Sequence, residues 1–125
     1  MENAVTAMPA AEPALVLAHY RAQFALETDC WDTHEAIRSP QPGFVLLDVR
    51  SHAAYAEGHV PGAVSVPHPK IIDSRMAQWP QDTLFVVYCA GPHCNGAARA
   101  AGGLAGLGRP VKLMVGGISG WLHRG

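Results

Sequence analysis

The sequence predicts an α/β domain built on a mostly parallel sheet. Two continuous apolar runs, at 44–47 and 84–88, suit strands covered on both faces, and segments of helical spacing alternate with them. At 125 residues the chain fits one domain around a single core.

The elements follow in order. Residues 1–12 are Ala/Pro-rich without apolar period and read as a flexible tail. An N-terminal helix is expected over 13–27, with Pro13 in its first turn and Leu17, Tyr20 and Phe24 on one face. That face is expected to dock onto the domain, because His19 and Arg21 are too few for a basic membrane-surface helix. The domain proper, 28–125, opens with a short strand at 28–31. Asp32 is expected to cap a small helix, with Glu35 three residues on as in a capping box. Ser39-Pro40-Gln41-Pro42-Gly43 is a loop by composition, and the 44–47 strand follows. A short helix at 53–57 leads to Gly58-His59-Val60-Pro61-Gly62, which turns the chain into a strand at 63–66. A helix is expected between Pro69 and Pro80, over 69–79, before the strand at 84–88. Ala97, Ala98, Ala101, Leu104 and Ala105 then recur with helical spacing. A strand at 111–115 and a terminal turn or helix from Gly116 complete the chain, which has no internal repeat.

Bulk properties exclude several classes. Nine Lys/Arg against ten Asp/Glu give a net charge of −1, with no basic cluster to suit a nucleic-acid partner. No apolar stretch approaches the roughly 20 residues that span a bilayer, so no membrane partner is expected. Glu2 and Glu12, with no basic residue before Arg21, do not make a secretory signal, so a cytoplasmic location is expected. Cys30, Cys89 and Cys94 cannot all pair within one chain, and a reducing compartment does not favour a structural disulfide framework. Cys30, beside Trp31, reads as a small buried apolar residue.

The chemistry concentrates at Cys89. It ends the apolar run Leu84-Phe85-Val86-Val87-Tyr88 and opens the loop Ala90-Gly91-Pro92-His93-Cys94-Asn95-Gly96 before a helix. Backbone N–H groups and a helix dipole at such a place favour an anion, so the thiol is expected to ionise readily and act as a nucleophile. The loop N–H groups from Ala90 to Gly96, that of Pro92 excepted, would hold a substrate oxyanion or a persulfide. Gly91 and Gly96 permit the close approach this needs.

Four segments in this order resemble the rhodanese-like (sulfurtransferase) domain family over residues 28–125. They are Leu46-Leu47-Asp48-Val49-Arg50, Gly58-His59-Val60-Pro61-Gly62-Ala63, Val86-Val87-Tyr88-Cys89 and Val115-Gly116-Gly117-Ile118-Ser119-Gly120-Trp121. The resemblance implies a parallel sheet of about five strands flanked by helices, to which the N-terminal helix is an addition. It also implies that Cys89 carries a transferable sulfur as a persulfide. The small-molecule partners implied are thiosulfate or a persulfide as donor and a thiol or cyanide as acceptor. A protein sulfur donor or acceptor is also compatible.

The active loop departs from the common family pattern Cys-x-x-Gly-x-Arg (or Thr) and resembles a subgroup with Cys-x-Gly-Pro-x-Cys-Asn and a second loop cysteine. No Arg or Lys stands between Cys89 and Arg99. A charge-assisted contact contributes about 1.5–3 kcal/mol, so its loss should weaken binding of doubly charged thiosulfate and favour a persulfide donor. Phosphatases sharing the fold use Cys-x5-Arg, whereas Asn95 stands at that position here, so phosphatase activity is not expected. Cys89, His93, Cys94 and His68 lack the second ligand pair of a zinc site, so neither metal nor cofactor is expected.

Individual side chains carry open readings. Cys94 resolves an oxidised or persulfidated Cys89, accepts sulfur from it, or packs structurally; a disulfide requires Cα atoms within about 7 Å. His93, cationisable near neutral pH, either stabilises an anion in the loop or stands idle in solvent. Asn95 is expected to cap the following helix. Arg99 replaces the missing charge or, as the better reading, lies on the surface. The resemblance gives Asp48 the ordering of the loop after its strand and lets Arg50 line the approach to the site. His59 reads as a turn-holding residue rather than a base. Sulfur transfer by Cys89 is the leading function. The alternatives are a thiol-redox protein using Cys89 and Cys94, and a catalytically weak binding or sensor module.

Overall fold

Four successive apolar residues make β4 (Phe85–Tyr88) a strand with no solvent face, and every one of them is buried. Alternation along the strand divides them: Phe85 and Val87 enter one apolar cluster with Leu47, Leu104 and Met76. Val86 and Tyr88 enter a second with Leu46, Met114 and Trp121, on the opposite face. The computed structural model describes residues 3–123, so residues 1–2 of the expected tail and 124–125 of the expected domain lie outside it.

Among the described residues the elements are α1 (Pro13–Leu26), β1 (Glu27–Thr28), α2 (Cys30–Ile37), β2 (Val45–Asp48), α3 (His52–Glu57) and β3 (Val64–Ser65). A 3-10 turn (His68–Lys70), α4 (Asp73–Met76), β4, α5 (Gly96–Gly106), β5 (Val111–Met114) and α6 (Gly117–His123) follow. The five strands lie in the order β1-β5-β4-β2-β3, and every pairing is parallel. Successive crossovers run from β2 outward to β3 and from β4 the other way to β5. The carboxyl ends of β2 and β4 therefore flank a switch point, where open α/β sheets place their ligands. The α/β class and the sheet of five parallel strands expected from the sequence are what the chain forms.

Local expectations were met less evenly. The chain leaves β1 after Thr28 and enters α2 at Cys30, so the strand expected at 28–31 is two residues long. Its cap is Asp29, not Asp32: the Asp29 carboxylate accepts the Asp32 N–H at 2.8 Å, the N-cap geometry shifted one turn back. The helix expected over 69–79 is broken into the 3-10 turn and α4. Ile71 supplies the reason: it turns into the core with Met76 and Leu104, while Ile72 takes extended backbone and stays exposed.

The alanine stripe of α5 is also displaced. Gly96, Ala97, Ala100 and Leu104 are buried, whereas Ala98 and Ala105 face solvent. A helix built from Ala and Gly has no polar side to contrast with its core side, so period alone does not select the face. Helix α1 forms as expected and touches β1 and β5, but Leu17, Tyr20 and Phe24 remain exposed. Its apolar residues are spread around the axis, and none of them is buried. No helix among the described residues is long and apolar enough to cross a membrane.

Candidate active site

Asp48 ends β2 with a fully buried carboxylate, and its partners explain how a charge is kept there. Asp48 Oδ1 accepts the Arg50 backbone N–H at 3.0 Å, and the Arg50 guanidinium donates to both carboxylate oxygens, closing to 2.6 Å from Nη2 to Oδ2. Tyr88, at the end of neighbouring β4, donates its hydroxyl to Asp48 Oδ2 at 2.7 Å and accepts the Val60 N–H at 3.1 Å. Burial, with the bond to Asp48, pushes the Tyr88 phenol well above its ordinary range, and the bond to Asp48 raises the Arg50 guanidinium too. One neutral phenol and one charge pair thus tie together the ends of β2 and β4 and the turn at Val60. Arg50 Nη2 also donates to Gly58 O at 2.7 Å.

Cys89 extends the β4 alternation by one residue. Its side chain therefore falls on the Phe85 and Val87 face, beneath α5, where it is buried among Ala97 and Ala100. The loop after it is pinned from the far end of the chain. At the start of α6, the Ile118 N–H donates to Cys89 O at 2.9 Å and the Ser119 N–H to Ala90 O at 3.0 Å. Gly117 makes this approach possible: its φ is +59°, and a Cβ there would stand 2.5 Å from Cys89 O and 2.7 Å from Gly91 N. Gly117→Ala should therefore push the cysteine loop out of place, at a cost of about 1–3 kcal/mol. Thermal unfolding measures the effect.

Cys89 and Cys94 are joined by a disulfide, with Cα atoms 6.4 Å apart. The sequence predicts no structural disulfide framework, but a Cys89–Cys94 pairing is one of its open readings of Cys94, and the loop folds back to bring the two sulfurs together. The Cys94 N–H bonds to Gly91 O at 3.1 Å, and the Gly96 N–H at the start of α5 points to Cys94 Sγ at 3.4 Å. A Cβ at Gly96 would stand 2.8 Å from Cys89 Sγ and 3.4 Å from Cys94 Sγ, so glycine leaves the room both sulfurs occupy.

A cavity of about 490 Å³ opens over this pair. Val49, Arg50 and Ser51 from the β2 loop line it with Pro67 and His68 from beyond β3. Cys89, Ala90, Cys94, Asn95 and Gly96 form the facing part of the wall. From the sequence His68 reads only as a possible metal ligand, yet its ring lies 3.6 Å from where a Gly96 Cβ would stand. Its distance along the chain from Cys89 gave no signal of this. Gly91 lies on the other side of the loop, against Ser119.

The remaining candidates scatter. His93 is exposed and does not line the cavity. Asn95 occupies the N-cap position of α5 but makes no capping bond; its Oδ1 accepts instead from Arg99 Nε at 3.2 Å. That bond holds Arg99 on the exposed face of α5, away from the cavity lining. His59 Nδ1–H donates to Tyr55 O at 2.8 Å, and the ring stacks on that of Tyr55 at 3.6 Å, a turn-holding arrangement as expected. Cys30 is buried with its sulfur 3.4 Å from Val115 O.

Known proteins share this architecture. A crystal structure of a Bacillus halodurans protein superposes with a TM-score of 0.87 at 36% identity, covering 90% of this chain and 82% of that one. A protein of Allochromatium vinosum named sulfurtransferase is 35% identical over 81 residues, 65% of this chain and 74% of that protein. An HTH-type transcriptional regulator of Mycobacterium tuberculosis is 38% identical over 88 residues, 70% of this chain. The matched segment spans only 38% of the regulator's length. The model of the family described as rhodanese-like domain matches residues 32–124, which takes in both strand ends and every loop around the cavity. By that match and by its sheet, the chain belongs to the rhodanese-like domain family.

Proposed function

We propose that the protein is a sulfurtransferase that carries a sulfane sulfur as a persulfide on reduced Cys89 and passes it to a thiophilic acceptor. The observation that carries this reading is the place of Cys89: buried at the end of the central strand, under a loop that leads into α5, on the wall of an open cavity. A thiol there can be met by a small donor while bulk water is held back. The Cys89 thiolate attacks the outer sulfur of a donor R–S–SH, the S–S bond breaks, and RS⁻ leaves. The persulfide on Cys89 then gives its outer sulfur to cyanide or to a second thiol, returning the thiolate.

The charges around the cavity favour a persulfide donor over thiosulfate. Arg50 is engaged by Asp48 and by Gly58 O, and Arg99 by Asn95, so neither replaces the arginine that the loop lacks. The Cys-x-Gly-Pro-x-Cys-Asn loop supports, on this reading, membership of a subgroup with a second loop cysteine. The disulfide supports a second reading, a thiol–disulfide exchange protein using Cys89 and Cys94.

Intact mass separates them. The reduced protein is incubated with thiosulfate and, separately, with a low-molecular-weight persulfide, and any bound sulfur is chased into thiocyanate with cyanide. Thiocyanate formation, faster from the persulfide donor by at least about tenfold for one lost charge-assisted contact, supports sulfur transfer. Loss of two hydrogens on mild oxidation, with no thiocyanate from either donor, supports the exchange protein. A protein that does neither is a binding module.

A further inference from the structure

We propose that Cys94 discharges the Cys89 persulfide as hydrosulfide, closing the disulfide and leaving the site inert until a thiol reductant reopens it. The inference rests on the sulfur-carrier reading above and adds an activity to it: sulfide release without any external acceptor.

Three observations converge. Cys94 Sγ reaches Cys89 Sγ itself, the inner sulfur of a persulfide, and the Cα separation of 6.4 Å falls in the roughly 4.4–6.8 Å window of ordinary disulfides. The Gly96 N–H directed at Cys94 Sγ, at the start of the 11-residue helix α5, favours the Cys94 thiolate. Gly96 itself leaves the volume in which the two sulfurs meet, since a Cβ there would collide with Cys89 Sγ at 2.8 Å. A merely packed Cys94 would need none of these.

The step balances without an oxidant. The Cys94 thiolate attacks the inner sulfur of Cys89–S–SH, the S–S bond to the outer sulfur breaks, and that sulfur departs as HS⁻ with its proton. The sulfane sulfur is reduced to sulfide while the two cysteine sulfurs are oxidised to the disulfide. Burial then sets the direction of reset. Cys89 is 6% exposed whereas Cys94 faces solvent, so an incoming thiol meets the Cys94 sulfur and expels Cys89 as the thiolate. A second thiol frees Cys94, and the carrier is ready again. Cyanide or an acceptor thiol thus competes with Cys94 for the same persulfide, and the redox supply of the surroundings sets how often the site turns over.

The test uses the full chain, reduced and then freed of reductant, with a low-molecular-weight persulfide as the probe. Sulfide is measured colorimetrically and the protein by intact mass. Given one equivalent of the persulfide, wild type should release one sulfide per chain beyond a protein-free control and lose two hydrogens; dithiol added with further persulfide should restart it. Cys94→Ser should instead gain one sulfur atom, keep it, and release sulfide at least about tenfold more slowly, because the intramolecular attack is gone. Equal sulfide release from wild type and Cys94→Ser, or a wild-type persulfide that persists, overturns the discharge step alone. Failure of Cys94→Ser to gain sulfur or to form thiocyanate with cyanide overturns the sulfur-carrier reading beneath it.

Discussion

Cys89→Ser, assayed in the reduced protein, should lower thiocyanate formation by at least about three orders of magnitude, the scale on which covalent catalysis loses its nucleophile. Serine matches the thiol in size, and the site around it is made by backbone. The Ile118 and Ser119 N–H bonds to the loop and the strand pairing of β4 do not depend on sulfur, and α5 packs through Ala97, Ala100 and Leu104 as well as against Cys89. Stability should therefore change little once both proteins are compared in their reduced forms, which a denaturant titration under reductant checks. A hydroxyl remains un-ionised at neutral pH where a thiol can ionise, so the variant offers no thiolate to attack the donor. Retained turnover in this variant, with the fold intact, removes Cys89 from the reaction.

Asp48→Ala should have the largest effect on stability, a loss of about 3–5 kcal/mol, because it breaks a buried pair and strands the surviving partner. The carboxylate is completely buried and accepts from the Arg50 backbone, the Arg50 guanidinium and the Tyr88 hydroxyl. Its removal leaves a guanidinium with 13% of its side chain exposed and only Gly58 O among the partners named above. For a domain of this size the midpoint of thermal unfolding should fall by roughly 10–20 °C. Asp48→Asn keeps an acceptor for Tyr88 but not the charge, and should lose about 1–3 kcal/mol. Equal melting of wild type and Asp48→Ala would mean that the network holds no part of the fold. Because the same network fixes the β2 loop under the cavity, both variants should also lose sulfur-transfer rate.

The readability of the chain differs between its strands and its helices for a physical reason. Phe85–Tyr88 and the Val45-Leu46-Leu47 stretch of β2 are legible because a strand buried on both faces demands an unbroken apolar run. The helix between Pro69 and Pro80 is misread because both of its boundaries are written in the sequence while the break at Ile71 is not. Only the pocket offered by Leu104 and Met76 draws Ile71 out of helical register. The N-cap at Asp29 is displaced from Asp32 for a similar reason. Both residues are competent caps, and the short pairing of β1 with β5 decides where the strand stops.

The site divides along the same line. Cys89, its loop and the motif residues Asp48 and Arg50 were legible as types at positions: a thiol at a strand end, small residues for close approach, a carboxylate two before an arginine. His68 on the cavity wall and Asn95 bound to Arg99 rather than to the helix backbone were not, and the pairing of Cys89 with Cys94 was legible only as one of three readings of Cys94. What the sequence determined by itself is the order of strands and helices and the residue types at their ends, since apolar period and turn chemistry act locally. Which face Cys89 takes, and whether Cys94 reaches it, was decided by tertiary structure. The strand phase of β4 aims the first sulfur under α5, and backbone donors from the start of α6, far along the chain, set the loop path that brings the second.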